Sequence, residues 1–376
     1  MAIDMHTEHR SHSSVPAPQQ QQQPGISTSH AAASPPAAAA AAAAIGDPID
    51  GRYQRIAKIG VGTYGDVYRG VDNLTGETVA VKCLKGFDDD PDGFDLDCEL
   101  AAEVEALEAC RGHPNIVQLI DHGRHRHDDL DNATTTEPPP EAYIVMEFVG
   151  PSLHFAVKRH GRYDEGDTRR LTRQLLAGVR WMHELGLMHR DLKPGNVLVD
   201  GIGRGGGDAS LKICDLGLAR DMFDDYKTDP PMPYSNPIGA VIYAAPEVLL
   251  GSTAYDQRID TWAVGCIMAY LLKGEHLFYA MSDKEVLEKI VDVLGMDDIT
   301  GWSRYWDYMI PKSLIKSGRP RRGNRLREMF AFPCTGGGLP ELSEEGFEVL
   351  SGLLRCNPEK RMTAAEALQH RWFVGL

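Results

Sequence analysis

The stretch Ile59-Gly60-Val61-Gly62-Thr63-Tyr64-Gly65-Asp66-Val67 contains three glycines in the pattern G-x-G-x-x-G-x-V. Glycine has no Cβ, so backbone amides there can approach a triphosphate without side-chain obstruction. A dinucleotide site would set this pattern between a strand and a helix and want an acidic residue about 20 positions on. Here a second strand-like run follows, and the loop reads as the tip of a hairpin. Val79-Ala80-Val81-Lys82 lies on the next strand-like run, where a lysine facing a nucleotide would pair with phosphate oxygens and need a carboxylate to hold it.

Farther on come His189-Arg190-Asp191-Leu192-Lys193-Pro194-Gly195-Asn196, then Asp215-Leu216-Gly217, then Ala245-Pro246-Glu247. In order and spacing the five motifs resemble the set of the eukaryotic protein kinases, over about Tyr53 to Phe373. The resemblance implies transfer of the ATP γ-phosphoryl group to Ser or Thr of protein substrates, with Mg²⁺. It implies that Asp191 orients the substrate hydroxyl and accepts its proton, that Lys193 stabilises the γ-phosphoryl charge, and that Asn196 and Asp215 hold Mg²⁺. ATP would lie under Ile59 to Gly65, with Val67, Ala80 and Leu198 about the adenine ring. Met146 would limit the depth of that pocket, and the backbones of Glu147 and Val149 would meet the adenine edge. For the partner of Lys82, three acids compete on one predicted helix: Glu99, Glu103 and Glu105. The register that places Leu107 four residues later selects Glu103. Leu216 stands where the family has Phe, and is expected to stack between Leu107, Leu119 and His189.

Within the kinases the chain resembles the cyclin-dependent-kinase-like branch (the CMGC group), through Gly62-Thr63-Tyr64-Gly65, Asp215-Leu216-Gly217-Leu218-Ala219-Arg220 and Asn357-Pro358-Glu359-Lys360-Arg361. Asn324 to Phe330 is similar to the PITSLRE-type subgroup. Arg361 is expected to pair with Glu247, and Asp260 to tie the catalytic loop to a buried helix. Thr63 and Tyr64 at the loop tip, and Ser235 in the place of the activating phosphothreonine with Arg190 and Arg220 to receive it, are candidate phosphorylation sites. Departures bear on partners. An acidic run from Asp88 to Glu99 replaces the PSTAIRE-like segment, and the arginine expected before the helix glutamate is Ala102. The sequence therefore does not support cyclin binding, and basal activity without cyclin is expected. The arginine that helps impose proline after the phosphoacceptor is replaced by Ala244, so selectivity is expected to soften while Gly239 preserves the backbone geometry; Ala240 stands for the usual Thr that can hydrogen-bond the catalytic Asp and Lys, so turnover is expected to be lowered. Those two alanines also leave a second reading, a pseudokinase scaffold; the complete catalytic set opposes it.

The elements that must position these residues follow from periodicity. Tyr53 to Lys58, Asp66 to Val71 and Glu77 to Leu84 read as an antiparallel meander, and Leu96, Leu100, Val104 and Leu107 recur at helical spacing. Tyr143 to Val149 reads as a further buried strand. After Gly150 helices dominate: Leu171, Leu175, Val179 and Met182 mark an amphipathic one, and Asp260 to Leu272 is almost wholly apolar and so buried. The expected fold is α+β and bilobal, with a sheet-rich lobe over 53–149 carrying one helix and a larger helical lobe over 150–373. Arg124 to Glu141 and Gly201 to Asp208 read as surface loops.

Residues 1–48, with Gln19 to Gln23 and the alanine run Ala37 to Ala44, read as a disordered low-complexity tail that cannot bury enough apolar surface to order itself. With Lys+Arg 39 and Asp+Glu 54, the net charge of −15 opposes generic binding to nucleic acid or an anionic membrane. No apolar run is long enough to span a bilayer. Seven cysteines without a Cys-x-x-Cys pair argue for a reducing compartment, cytoplasm or nucleus. The basic segment Lys316 to Arg327 reads as a solvated loop, with nuclear import or docking as the alternative.

Overall fold

The computed structural model describes residues 45–62, 65–84, 96–124, 142–201, 209–222, 241–252, 255–302, 323–331 and 340–375. Thr63, Tyr64, Ser235, Gly239 and Ala240 lie outside them, as do most of the two expected surface loops and most of the acidic run.

Six strands form one antiparallel sheet: β1 Ile45–Ile49, β2 Tyr53–Gly62, β3 Gly65–Asp72, β4 Thr78–Leu84, β5 Leu119–Arg124 and β6 Ala142–Glu147, in the order β1-β2-β3-β4-β6-β5. Side chains alternate across a strand, and β4 uses both faces. Val79, Val81 and Cys83 join Ile49, Tyr53, Tyr143 and Val145 in a small cluster on one side. Ala80, Lys82 and Leu84 therefore face the other, where helix α1 (Leu96–Ala109) packs against β5 and β6. Burial on both faces makes the apolar run of β4 continuous rather than alternating. The hairpin of β2 and β3 extends beyond the strand limits read from the sequence, up to the pair Gly62 and Gly65. A Cβ on Gly65 would lie 2.1 Å from the Cys83 carbonyl oxygen, so only glycine lets the strand pass there.

The tail ends earlier than the sequence suggests. Residues 45–48 belong to β1, which pairs antiparallel with β2. Gly46, Asp47 and Pro48 between two isoleucines hid a strand whose buried Ile49 fills the small cluster.

After β6 the chain is mostly helical. Helix α2 (Leu153–His160) starts at Ser152, whose side chain accepts from Phe155 N–H, and α3 (Glu165–Glu184) at Asp164, which accepts from Asp167 N–H. Helix α4 (Arg258–Lys273) is buried from Ile259 to Leu272 and stops at Gly274 in the left-handed region, φ 74°. A helix apolar all round must be surrounded, and α4 packs against both α3 and the later helix α6 (Glu344–Leu353). Between them α5 spans Asp283–Leu294. Short strand pairs, β7 (Leu187–Met188) with β10 (Arg220–Asp221) and β8 (Val197–Asp200) with β9 (Ser210–Ile213), bracket the loops that carry the chemistry. No described helix is long and apolar enough to cross a membrane.

Candidate active site

Lys82 projects from the α1 face of β4 and is nearly buried. Its Nζ donates to both Glu103 carboxylate oxygens, at 2.8 and 2.7 Å, and to Asp215 Oδ1 at 2.8 Å. Glu103 is 2% exposed in the middle of α1. Burial alone would discharge the ammonium, but the two carboxylates outweigh it and hold Lys82 above its ordinary range. Burial raises the Glu103 carboxyl against the attraction of Lys82, whereas the Lys82 charge holds Asp215 below the usual carboxylate range. Gly217 fits this corner because a Cβ there would sit 3.1 Å from Glu103 Oε2.

The second group sits on the loop after β7. Lys193 Nζ donates to Asp191 Oδ2 at 2.6 Å, and Asn196 Nδ2 donates to Asp191 O at 2.9 Å and Oδ2 at 3.0 Å. Cys214 N–H donates to Asn196 O at 3.0 Å, which joins this loop to the residue before Asp215. The His189 ring makes the same connection: its Nδ1 accepts from Asp191 N–H at 3.2 Å and its Nε2 meets Cys214 O at 3.1 Å. Arg190 and Asp215 both have positive φ, 68° and 63°, a strained conformation for residues with side chains. Arg190 is held there from both ends, its N–H on Asp260 Oδ1 at 2.9 Å and its Nε on Leu218 O at 2.8 Å.

Asp260 anchors the loop to α4. It also accepts from His189 N–H and from His183 Nε2, both at 2.9 Å. Burial pushes its carboxyl up, but these hydrogen bonds and the histidines prevail and hold it below the ordinary carboxylate range. Glu247 and Arg361 form the expected pair, bidentate at 2.6 and 2.8 Å and wholly buried, with the guanidinium 5.2 Å from the Trp262 ring centre.

Thr63 and Tyr64 apart, the residues assigned to ATP belong to β2, β3, β4, α1, β6, the segment after β6, and β8. Val67 pairs with Lys82 across β3 and β4, and Ala80 with Met146 across β4 and β6. Ile59 and Val61 face solvent, while Gly60 packs on Val67. Leu198 bridges to Ser152, and Val149 is half-buried. Glu147 commits its N–H to Gln118 O at 3.0 Å, and its carboxylate to Gln118 N–H at 2.8 Å and Lys212 Nζ at 2.7 Å. Leu216 is 1% exposed in the core that includes Leu107 and Leu119.

Of the other two acids on α1, Glu105 is solvent-exposed. Glu99 is half-buried, which raises its carboxyl, and feels the opposing charges of Arg220, Lys82 and Arg190. Sequence reasoning missed His183 and Lys212. A histidine in the last turn of α3 is ordinary as a partner of the helix dipole, and its link to Asp260 spans 77 positions. Lys212 sits on β9 with no local signal.

Two requirements of the family can be tested against these side chains. Mg²⁺ is usually bound by one or two protein oxygens, substrate phosphates and waters. The Asp215 carboxylate, with 44% of its side chain exposed, and the Asn196 amide oxygen, turned from Asp191 by its own N–H bonds, fit that demand. A charged lysine behind the glycine hairpin fits a triphosphate.

A family profile described as "Protein kinase domain" matches residues 53–373. Over 330 residues the chain is 43% identical to the putative cyclin-dependent kinase F-2 of Oryza sativa subsp. japonica, covering 86% of this chain and 90% of that one. It is 36% identical to cyclin-dependent kinase G-2 of Oryza sativa subsp. indica, over 85% of this chain and 41% of the relative. For cyclin-dependent kinase G1 of Arabidopsis thaliana the identity is 34%, over 85% and 48%. The chain thus spans most of the first relative and less than half of the two G-type kinases.

Proposed function

Because the chain belongs to the protein kinases, in their cyclin-dependent-kinase-like branch, we propose that its serine/threonine kinase activity is carried by Asp191, Lys193, Asn196, Lys82, Glu103 and Asp215 in the roles that follow. Members of this family use ATP. Asp191 receives the proton of the substrate hydroxyl as its oxygen bonds the γ-phosphorus and the bond to the β-γ bridging oxygen breaks. Lys193, already on Asp191 Oδ2, lies where charge on the moving phosphoryl is neutralised. Lys82, kept cationic by Glu103 and Asp215, positions the phosphates. Asp215 and Asn196 would hold Mg²⁺, which when bound neutralises phosphate oxygens. The observation that carries this reading is the continuous hydrogen-bonded array from Glu103 through Lys82 to Asp215, and from Cys214 through Asn196 to Asp191 and Lys193. Transfer of labelled γ-phosphate to a generic protein substrate tests it, with Asp191→Asn as control. Wild-type-like turnover in that variant would contradict the roles.

We further assign basal activity without a cyclin, a reading supported by Ala102 and the acidic run before α1. Phosphorylation at Thr63 or Tyr64 would oppose ATP phosphates by like charge, and at Ser235 would draw on Arg190 and Arg220. Loss of the third arginine at Ala102 supports a weak effect there. Proline selectivity is softened: Ala244 is buried and small, so no clamp can form from it. The cysteine pattern supports cytoplasm or nucleus.

A further inference from the structure

Helix α6 sends one face into the core through Val349, Leu350 and Leu353. Phe347 and Ser351, with Arg355 just past the helix end, are spaced by four and so share a different side. They border a cleft of about 520 Å³, within the range of about 300 to 1,000 Å³ that encloses ligands. Met362 lies against the helix there: its N–H donates to Gly352 O at 3.1 Å, and a Cβ on Gly352 would sit 2.5 Å from Met362 Sδ, so glycine makes room for the thioether. Arg361 turns inward to Glu247, which leaves its neighbours Lys360 and Met362 on the cleft. Arg327, from the short 3-10 turn Leu326–Met329, joins the lining with its guanidinium 4.6 Å from the Phe347 ring centre and 3.3 Å from a Glu344 oxygen.

The lining is basic. Its cations are Arg327, Arg355 and Lys360, and its one acid among the described residues is Glu348. Glu348 is already taken by Arg371, at 3.1 and 2.9 Å, and by His370 at 3.2 Å. Arg355 has half its side chain exposed and stands 3.8 Å from Asp298, longer than the about 2.7 to 2.9 Å of a charge-assisted hydrogen bond. Lys360 is exposed and pairs with no carboxylate among the described residues. The sequence that leads into the cleft has the same sign: positions 316–327 carry Lys316, Arg319, Arg321, Arg322, Arg325 and Arg327 and no Asp or Glu, in a chain whose net charge is −15. The roles proposed for catalysis use none of these side chains.

Charge and surface chemistry choose the occupant. A long polyanion such as nucleic acid would meet repulsion from the rest of this acidic chain. A free phosphate would leave Phe347 and Met362 unused. A short acidic peptide with an apolar side chain uses both kinds of group, since a methionine adapts its shape to what it meets and complementary charge fixes orientation. We propose that the cleft beside α6 is a docking site for an acidic peptide segment of a partner protein, with carboxylates on Arg355 and Lys360 and an apolar residue against Phe347 and Met362.

The test is fluorescence anisotropy of the labelled peptide Glu-Asp-Glu-Phe-Leu-Asp-Glu-Asp with the full chain, read without ATP so that its outcome is separate from the catalytic roles. The peptide should bind at least about tenfold more tightly than its Gln and Asn counterpart, and weaken about three- to tenfold when its Phe and Leu become Ala. Arg355→Glu with Lys360→Glu should weaken it at least about tenfold, and Lys360→Gln alone about two- to fivefold, the range of one exposed ion pair. The same reversal on exposed cations of α2, Lys158→Glu with Arg159→Glu, should leave binding within about twofold, because salt screens charge outside the cleft. All variants should keep a cooperative unfolding transition. No binding, equal binding of the neutral peptide or of oligothymidylate, or equal loss in the two reversal variants would overturn the proposal.

Discussion

Lys82 is shared by two carboxylates of different standing. Glu103 is locked in the core, while Asp215 is partly open and free to meet other charge. Removing Glu103 leaves the ammonium with Asp215 as its remaining carboxylate, pulled toward the position where metal and phosphate are expected. Glu103→Gln should therefore lower kcat about 10²-fold, a loss comparable to that of one preorganised charge-stabilising group. Glu99→Gln, which touches only partly screened charge, should stay within about threefold. Steady-state kinetics on the two variants checks both, and equal losses would mean that the helix rather than the ion pair matters. The choice among the three acids was legible only through the resemblance, whose apolar pattern sets Leu107 four residues after the paired acid; helical spacing alone leaves Glu99 and Glu103 on one face. The positive φ of Arg190 was not legible, since it is held by Asp260, 70 positions away, and the contact of Lys193 with Asp191, only two positions apart, was not legible because spacing alone does not fix the turn of a loop.

At the scale of elements, α4 organises the catalytic loop through one carboxylate. Asp260 accepts from His183 Nε2 and from the backbone N–H groups of His189 and Arg190, and hydrogen bonds to charged groups contribute about 1.5 to 3 kcal/mol each. Asp260→Asn should cost roughly 3 kcal/mol in urea unfolding at neutral pH. The carboxyl is held below its ordinary value in the folded chain, so its contribution is complete above the unfolded value and fades as pH falls through the folded one. The gap between wild type and Asp260→Asn should stay constant from about pH 7 to 5 and narrow below about pH 4. A gap that widens on acidification would mean the carboxyl is raised instead. Arg361→Ala removes one partner of a buried pair and should destabilise by about 3 to 5 kcal/mol, measurable in the same assay. The almost wholly apolar run of α4 announced its burial, and the meander was readable from its turns and glycines. Strand β1 was not, because a five-residue edge strand containing Gly46, Asp47 and Pro48 has the composition of a loop and gains its place only by pairing with β2.

Across the whole molecule, the array around Lys82 joins elements far apart in the chain: α1 presents Glu103 to Lys82 of β4, and Asp215 meets the same ammonium. In relatives named for cyclin dependence, a partner is implied by name. Here Ala102 and the acidic sequence before α1 support the proposal that no cyclin is required. The purified chain should accordingly phosphorylate protein by itself, and adding a cyclin should change the rate by less than about threefold, within what weak surface contacts alter. The assigned roles turn on whether these side chains transfer the γ-phosphoryl group of ATP to protein Ser or Thr. The most direct measurement is incorporation of labelled γ-phosphate into a generic protein substrate by the purified chain, beside Asp191→Asn and Lys82→Met. The wild type should show clear incorporation, on Ser and Thr, and each variant a loss of orders of magnitude with unfolding transitions still cooperative; no incorporation by the wild type, or equal incorporation by the variants, would contradict the assigned roles.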